Sequence, residues 1–392
     1  MVSLLYLLDE YIYSLISLSG IGLLLSAVVL ILLNRINYRL AVELLPILSL
    51  ILIWSLLAWV LPTGVGFTPK GLYSLLFLCF VFLLLFSGDF IVLLLSRKSV
   101  LFIIFVIVFF LIMDQFKILV LNDGSKSVGL YIEPSHLAIY IMPFFVYAFL
   151  CGMNKFFLLL CVSIVAFLGY SSTFFVIVFL TLSVIYSSHI KSFVWYGFIA
   201  LIIILVVLSN NILMQYFAPT IDRSFGVLDS NYAIDSQSLS SLVWLNGWSQ
   251  AFETFKATLG IGLGFNSMGE GEFQYIGKYS FYLLTGSGNV LNYNDGSFLA
   301  SKIISEFGIL GVLLIMNTVI RCWRSIKSYI AYTKDFQSHT DISIHAQRAA
   351  GAISLFVLLF VRGMGYFVMP VFLSYIMLYG SELVYSEVTP NR

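Results

Sequence analysis

Apolar positions run together along most of this chain instead of alternating or forming one-sided stripes. From Leu101 to Leu111 every residue is apolar, which leaves no face for water and no barrel-type alternation. Backbone groups in lipid must be bonded within their own segment, so such runs read as helices rather than strands. With about 20 apolar residues needed to cross roughly 30 Å of hydrocarbon, the runs predict spans over 12–33, 41–61, 72–95, 100–121, 136–153, 156–170, 173–188, 193–213, 298–320, 349–361 and 366–385. The expected fold is an all-α polytopic transmembrane helix bundle of about eleven spans, ten to thirteen once the short runs are allowed for. It divides into an eight-span part over 1–213, a large external loop over 214–297 and a three-span part over 298–392.

The loop breaks the pattern. Seven acidic residues (Asp222, Asp229, Asp235, Glu253, Glu270, Glu272 and Asp295) face three basic ones (Arg223, Lys256 and Lys278), among many Gly, Ser, Asn and aromatic residues. Trp244, Trp248, Phe252, Phe255 and Leu259 recur at helical steps, which predicts an amphipathic surface helix over 239–259. Its aromatics suit headgroup depth. Trp244 and Trp248 also offer flat faces on which sugar rings can stack. No internal repeat is visible, which counts against transporters built from repeated halves.

Composition agrees with lipid as the main solvent. Of the 392 residues 60% are hydrophobic and 10% charged, against roughly 25% charged in a soluble domain, and mean hydropathy is +1.02. A soluble enzyme, a disordered chain, a nucleic-acid binder and a secreted disulfide scaffold are excluded. Cys79, Cys151, Cys161 and Cys322 have no metal-type spacing. The first basic residue, Arg35, follows the first apolar run, so that run reads as a retained span rather than a cleaved signal. Twelve Lys and Arg, five of them in 321–348, fall on one side of the spans and eight on the other. By the positive-inside rule the loop 321–348 and the C-terminus are cytoplasmic and 214–297 is external.

Soluble-enzyme motifs fail individually. Gly260-Ile261-Gly262-Leu263-Gly264 resembles a dinucleotide fingerprint, but Phe265 and Ser267 stand where the third glycine is needed and a helix precedes it. Those glycines instead let the chain turn sharply after the surface helix. No phosphate-loop, zinc-protease or nucleophile-elbow motif is present, and neither a metal nor a cofactor is expected.

Four places carry candidate chemistry. Glu133-Pro134-Ser135-His136 opens the fifth span, where a helix N-terminus can seat phosphate oxygens. Glu133 either caps that helix or works at its mouth, and His136 either bonds a neighbouring helix or binds substrate. Arg362 lies between apolar runs with Gly363 and Gly365 beside it. It either snorkels to lipid phosphate or offers its fork to a phosphorylated ligand. Asp222-Arg223 is either a surface ion pair or a cation source. Asn294-Asp295-Gly296-Ser297 either caps the ninth span or supplies a carboxylate. Lys302 and Glu306, at i and i+4 on that span, are expected to pair.

The order of four segments resembles the Wzy-type O-antigen polymerases. They are Glu133-Pro134-Ser135-His136-Leu137-Ala138, Gly247-Trp248 through Gly260-Ile261-Gly262-Leu263-Gly264-Phe265, Ser305-Glu306-Phe307-Gly308-Ile309-Leu310-Gly311, and Arg362-Gly363-Met364-Gly365-Tyr366. The resemblance implies a bacterial inner-membrane glycosyltransferase acting on undecaprenyl-pyrophosphate-linked oligosaccharide repeats at the periplasmic face. It implies a flippase and a chain-length regulator as neighbours, and a lipid-borne donor that requires no nucleotide. Cations must neutralise the departing pyrophosphate and a carboxylate must accept a proton. Arg362 and Arg223 are the expected cations. Glu133 is the expected base, with Asp295 behind it, and His136, Trp244, Trp248, Lys278 and Lys302 are expected to bind substrate. The family's arginine near the start of the loop helix has no counterpart over 238–248. An O-antigen ligase would be expected to carry a histidine in the loop; His136, His189, His339 and His345 all lie outside it. A flippase of lipid-linked sugars would need a charged central path, for which only Glu43, Asp89 and Asp114 offer themselves.

Overall fold

The computed structural model describes residues 38–61, 95–116, 130–187, 239–269, 277–288, 296–335 and 339–379, apart from 132, 170 and 364, together with isolated positions between these stretches. Ten helices lie among the described residues. They are α1 (Tyr38–Val60), α2 (Arg97–Gln115), α3 (Pro134–Leu150), α4 (Lys155–Gly169), α5 (Ser172–Tyr186), α6 (Leu239–Ala257), α7 (Ser280–Ser287), α8 (Leu299–Asp335), α9 (His339–Phe360) and α10 (Met369–Tyr379).

A helix that is apolar on every side belongs in the interior, and α3 is that helix. Almost every residue from Leu137 to Leu150 is buried, and α2, α4, α5, α9 and α10 surround it. Its ends follow local rules. Pro134 occupies the first turn, where its missing N–H costs nothing. Beyond Leu150 the chain turns, and the Asn154 side chain accepts from the Phe157 N–H to start α4. The Tyr329 hydroxyl of α8 donates to the Leu150 carbonyl at 2.9 Å, tying α3 to the far end of α8.

The expectation of about eleven spans is overturned. Three helices among the described residues are long and apolar enough to cross a membrane: Arg97–Gln115, Leu299–Thr333 and Ser343–Phe360. The runs at 136–153, 156–170 and 173–188 become helices of 17, 15 and 15 residues, and that at 366–385 is described as helix over Met369–Tyr379. At about 1.5 Å per residue the first three reach only some 22–26 Å, less than a hydrocarbon layer of about 30 Å. In the run at 41–61 the described apolar stretch of α1 is Leu45–Val60. Hydropathy reports the solvent a segment prefers, whereas Pro134, the turn at Cys151–Asn154 and the break before Ser172 decide how long each helix is. The runs at 12–33 and 193–213, and most of 72–95, lie outside the described residues. The chain is thus all-α and apolar enough in its helices to associate with a membrane.

One of these three helices is broken. Gly308, at φ 54° and ψ −126°, interrupts α8 and frees backbone groups that lipid could not satisfy. Residues 260–264 lie across the break as a strap. Leu263 N–H donates to Ser305 O at 3.0 Å, Gly264 N–H to Glu306 O at 2.8 Å, and Ile309 N–H to Gly260 O at 2.7 Å. The approach requires glycine on both sides. A side chain at Gly262 would strike the Glu306 carbonyl, and one at Gly308 the Gly260 carbonyl. The Trp54 indole of α1 donates to Ile261 O at 2.8 Å.

Candidate functional site

The turn between α9 and α10 carries Arg362, and three separate elements hold it. Gly363 N–H donates to Ser297 O at 3.0 Å. The Trp244 indole of α6 donates to Phe360 O at 2.8 Å. Phe265, just after the strap, packs at a tilt against Tyr366 with centroids 5.1 Å apart and meets Phe367 edge-on. A guanidinium on so well-fixed a turn has little freedom to search for a partner.

Its partner is Glu133, 229 positions earlier in the chain. Arg362 Nη2 lies 3.0 Å from Glu133 Oε2, with the side chains 18% and 40% exposed. The Ser135 hydroxyl donates to the same oxygen at 3.1 Å. Glu133 occupies the cap position of α3 but makes no side-chain cap bond, so its carboxylate points to the arginine rather than back to the helix. Among the described residues the Arg362 Nε is buried and has no hydrogen-bond partner. Buried polar groups are nearly always bonded, and a guanidinium N–H beside a helix N-terminus suits an anionic oxygen.

A second ion pair lies on α8. Lys302 Nζ sits 3.4 Å from Glu306 Oε1, with 1% and 0% of the side chains exposed, which realises the expected i to i+4 pairing. Glu306 does more than pair. Its Oε2 accepts from Asn266 N–H at 2.8 Å and its Oε1 from Met268 N–H at 3.2 Å, so one carboxylate fastens the end of the strap. Lys302 Nζ also lies 5.3 Å from the Tyr366 ring centroid, on the turn that bears Arg362. A buried charge is tolerable only when paired and hydrogen-bonded, and this cluster meets both conditions.

The expected site residues are distributed unevenly over these features. Glu133 and Arg362 are brought together, and Lys302 lies near Tyr366 on the turn that bears Arg362. His136 is half-buried in the first turn of α3, its N–H bonded to Glu133 O at 3.0 Å. Trp244 and Trp248 turn inward. Trp248 lies against Phe298 at 4.9 Å and stacks on Phe360 at 6.5 Å, while Trp244 meets Phe298 at 5.9 Å. Lys278 is exposed, with its backbone N–H bonded to Ser249 Oγ and its ammonium 5.6 Å from the Tyr279 ring centroid. Arg223 and Asp295 lie outside the described residues. Ser135, Tyr366, Phe265 and the Ser297 carbonyl hold the site; each stands in a segment quoted above, but none was expected as a site residue. The nearest sequence signal was the Gly-Ile-Gly-Leu-Gly run, whose sharp turns bring Phe265 and Asn266 back over α8.

The fold and this arrangement define an all-α protein whose helices are apolar enough to associate with a membrane, with an arginine–carboxylate pair at the mouth of a buried helix. The chain matches no family model, no curated protein and no solved structure, so function has to be argued from the site.

Proposed function

We propose that this protein is a bacterial inner-membrane glycosyltransferase. In this reading it polymerises undecaprenyl-pyrophosphate-linked oligosaccharide repeats into O-antigen or a related surface polysaccharide at the periplasmic face, beside a flippase and a chain-length regulator. The carrying observation is the Arg362–Glu133 pair, with a buried guanidinium N–H left over. An arginine held by one carboxylate oxygen can exchange it for pyrophosphate oxygens, which match its fork in pairs. That exchange would release Glu133 as the substrate arrives.

The chemistry then needs two functions from one pair. A sugar hydroxyl of one lipid-linked unit attacks the anomeric carbon of the other. The C–O bond to pyrophosphate breaks, and its electrons pass to the departing oxygen, where Arg362 offsets the charge. The hydroxyl proton passes to the released Glu133 carboxylate. Lys302, Glu306 and Tyr366 position the turn and touch no reacting atom.

The test is deletion in the native host, complemented with wild type, Arg362→Ala or Glu133→Gln. Deletion should leave surface lipid carrying a single repeat unit, and neither variant should restore the long-chain ladder although each inserts normally. A full-length ladder from both variants refutes the site. Loss of every repeat from the surface lipid assigns a ligase, and lipid-linked repeats trapped inside assign a flippase.

A further inference from the structure

Helix α6 exposes large apolar side chains toward its C-terminal end. Its buried face carries Ser241, Leu242, Val243, Asn246, Gly247, Gln250, Ala251 and Thr254, while Phe252 is 57% exposed beside the exposed Glu253–Lys256 pair, and Leu259, just beyond the helix end, is 89% exposed. Two exposed hydrophobes alone would carry no conclusion, but these two continue a surface that already exists on a spanning helix.

Beyond the break, α8 exposes Ile309, Leu313, Met316, Ile320 and Trp323, at steps of four, three, four and three. This is one helical face. It ends in a membrane-interface pattern, with exposed Trp323 and the Lys327 ammonium 5.2 Å from its ring centroid. From Ile309 to Trp323 the face measures about 21 Å, some 9 Å short of a hydrocarbon layer of roughly 30 Å. It cannot continue along α8, because nearly every residue from Leu299 to Gly308 is buried.

What covers that part of α8 is α6. The two run side by side in the same direction: Gly247 lies against the Gly296 carbonyl and Phe298, and Gly260 bonds Ile309. Leu259 therefore emerges level with Ile309, and Phe252 lies up to about 10 Å further out. Together the two faces reach approximately the missing thickness. The Lys256 ammonium lies 4.1 Å from the Phe252 ring centroid and 3.7 Å from Glu253 Oε1.

We infer that Phe252 and Leu259 face the acyl chains of a lipid bilayer, so that α6 and the turn after it complete the lipid-facing wall that α8 leaves short. On the same ruler Arg362, tied through Gly363 to Ser297, lies about one turn outward of Phe252, at headgroup depth. The inference does not depend on the polymerase reading and can fail separately from it.

The test uses the full chain in vesicles of phosphatidylethanolamine with phosphatidylglycerol. A lipid-soluble aryl diazirine, photolysed with the unmodified protein, should mark the peptide holding Phe252–Leu259 as well as that holding Leu313. A labelled Leu313 peptide without the other overturns the inference. A spin label at L259C, in a cysteine-free background, should match one at L313C in favouring oxygen over a water-soluble nickel complex. Preference for nickel at L259C, or exclusion of both reagents as under a protein partner, refutes it.

Discussion

Replacing Lys302 with methionine tests whether the buried ion pair fastens the strap. The change removes the cation 3.4 Å from Glu306 Oε1 and keeps most of the side-chain volume. Deleting one partner of a buried pair costs about 3–5 kcal/mol. Two charge-assisted bonds, from Asn266 N–H and Met268 N–H, still hold the carboxylate, which places K302M near the lower end, about 3 kcal/mol. Glu306→Gln should cost more. Its NH2 must face one of those two N–H donors, adding about 1–3 kcal/mol for a buried donor without a partner, and buried Lys302 loses the Glu306 charge beside it. The double variant K302M/E306Q has no charge left to compensate and loses only one N–H bond, so it should be more stable than E306Q alone. Reversible unfolding in mixed micelles titrated with dodecyl sulfate, run on all four proteins, gives the coupling energy directly. Single variants within about 1 kcal/mol of wild type, or a double variant equal to the sum of the singles, would refute the reasoning.

Two further outcomes follow from the same geometry. Arg362→Lys keeps a positive charge but loses the planar fork, so its polysaccharide ladder should fall between those of wild type and Arg362→Ala on gel electrophoresis. Gly262→Ala, at φ +87° and against the Glu306 carbonyl, should destabilise the protein by about 1–3 kcal/mol. Gly152→Ala, at φ +63° with open space around it, should cost less in the same unfolding titration, and the difference reports the strap contact.

How much of this was legible depends on the range of each interaction. Local pairings were readable: the Lys302–Glu306 pair follows from i to i+4 spacing, and α6 from the recurrence of its aromatics. The direction in which α6 faces was not. Periodicity put Trp244, Trp248 and Phe252 on one surface, yet the two indoles pack inward on Phe298 and Phe360 while Phe252 points out. Sequence spacing cannot tell which neighbour a ring will meet. Hydropathy found the apolar segments correctly but overcounted crossings, since it is blind to helix ends such as Pro134. The Arg362–Glu133 pair joins positions 229 apart, so each residue could be nominated from its own surroundings but their meeting could not.

The order of the broken helix and its strap along the chain matters during synthesis. Residues 260–264 leave the ribosome before Ser305, Glu306 and Ile309 do, so the segment that completes the broken helix is made first. When α8 is made, its interrupted backbone can dock on a partner already in place, and no unbonded amide has to wait in oil. Moving the strap to a position after α8 by circular permutation would reverse that sequence and expose the break to lipid while it is being inserted.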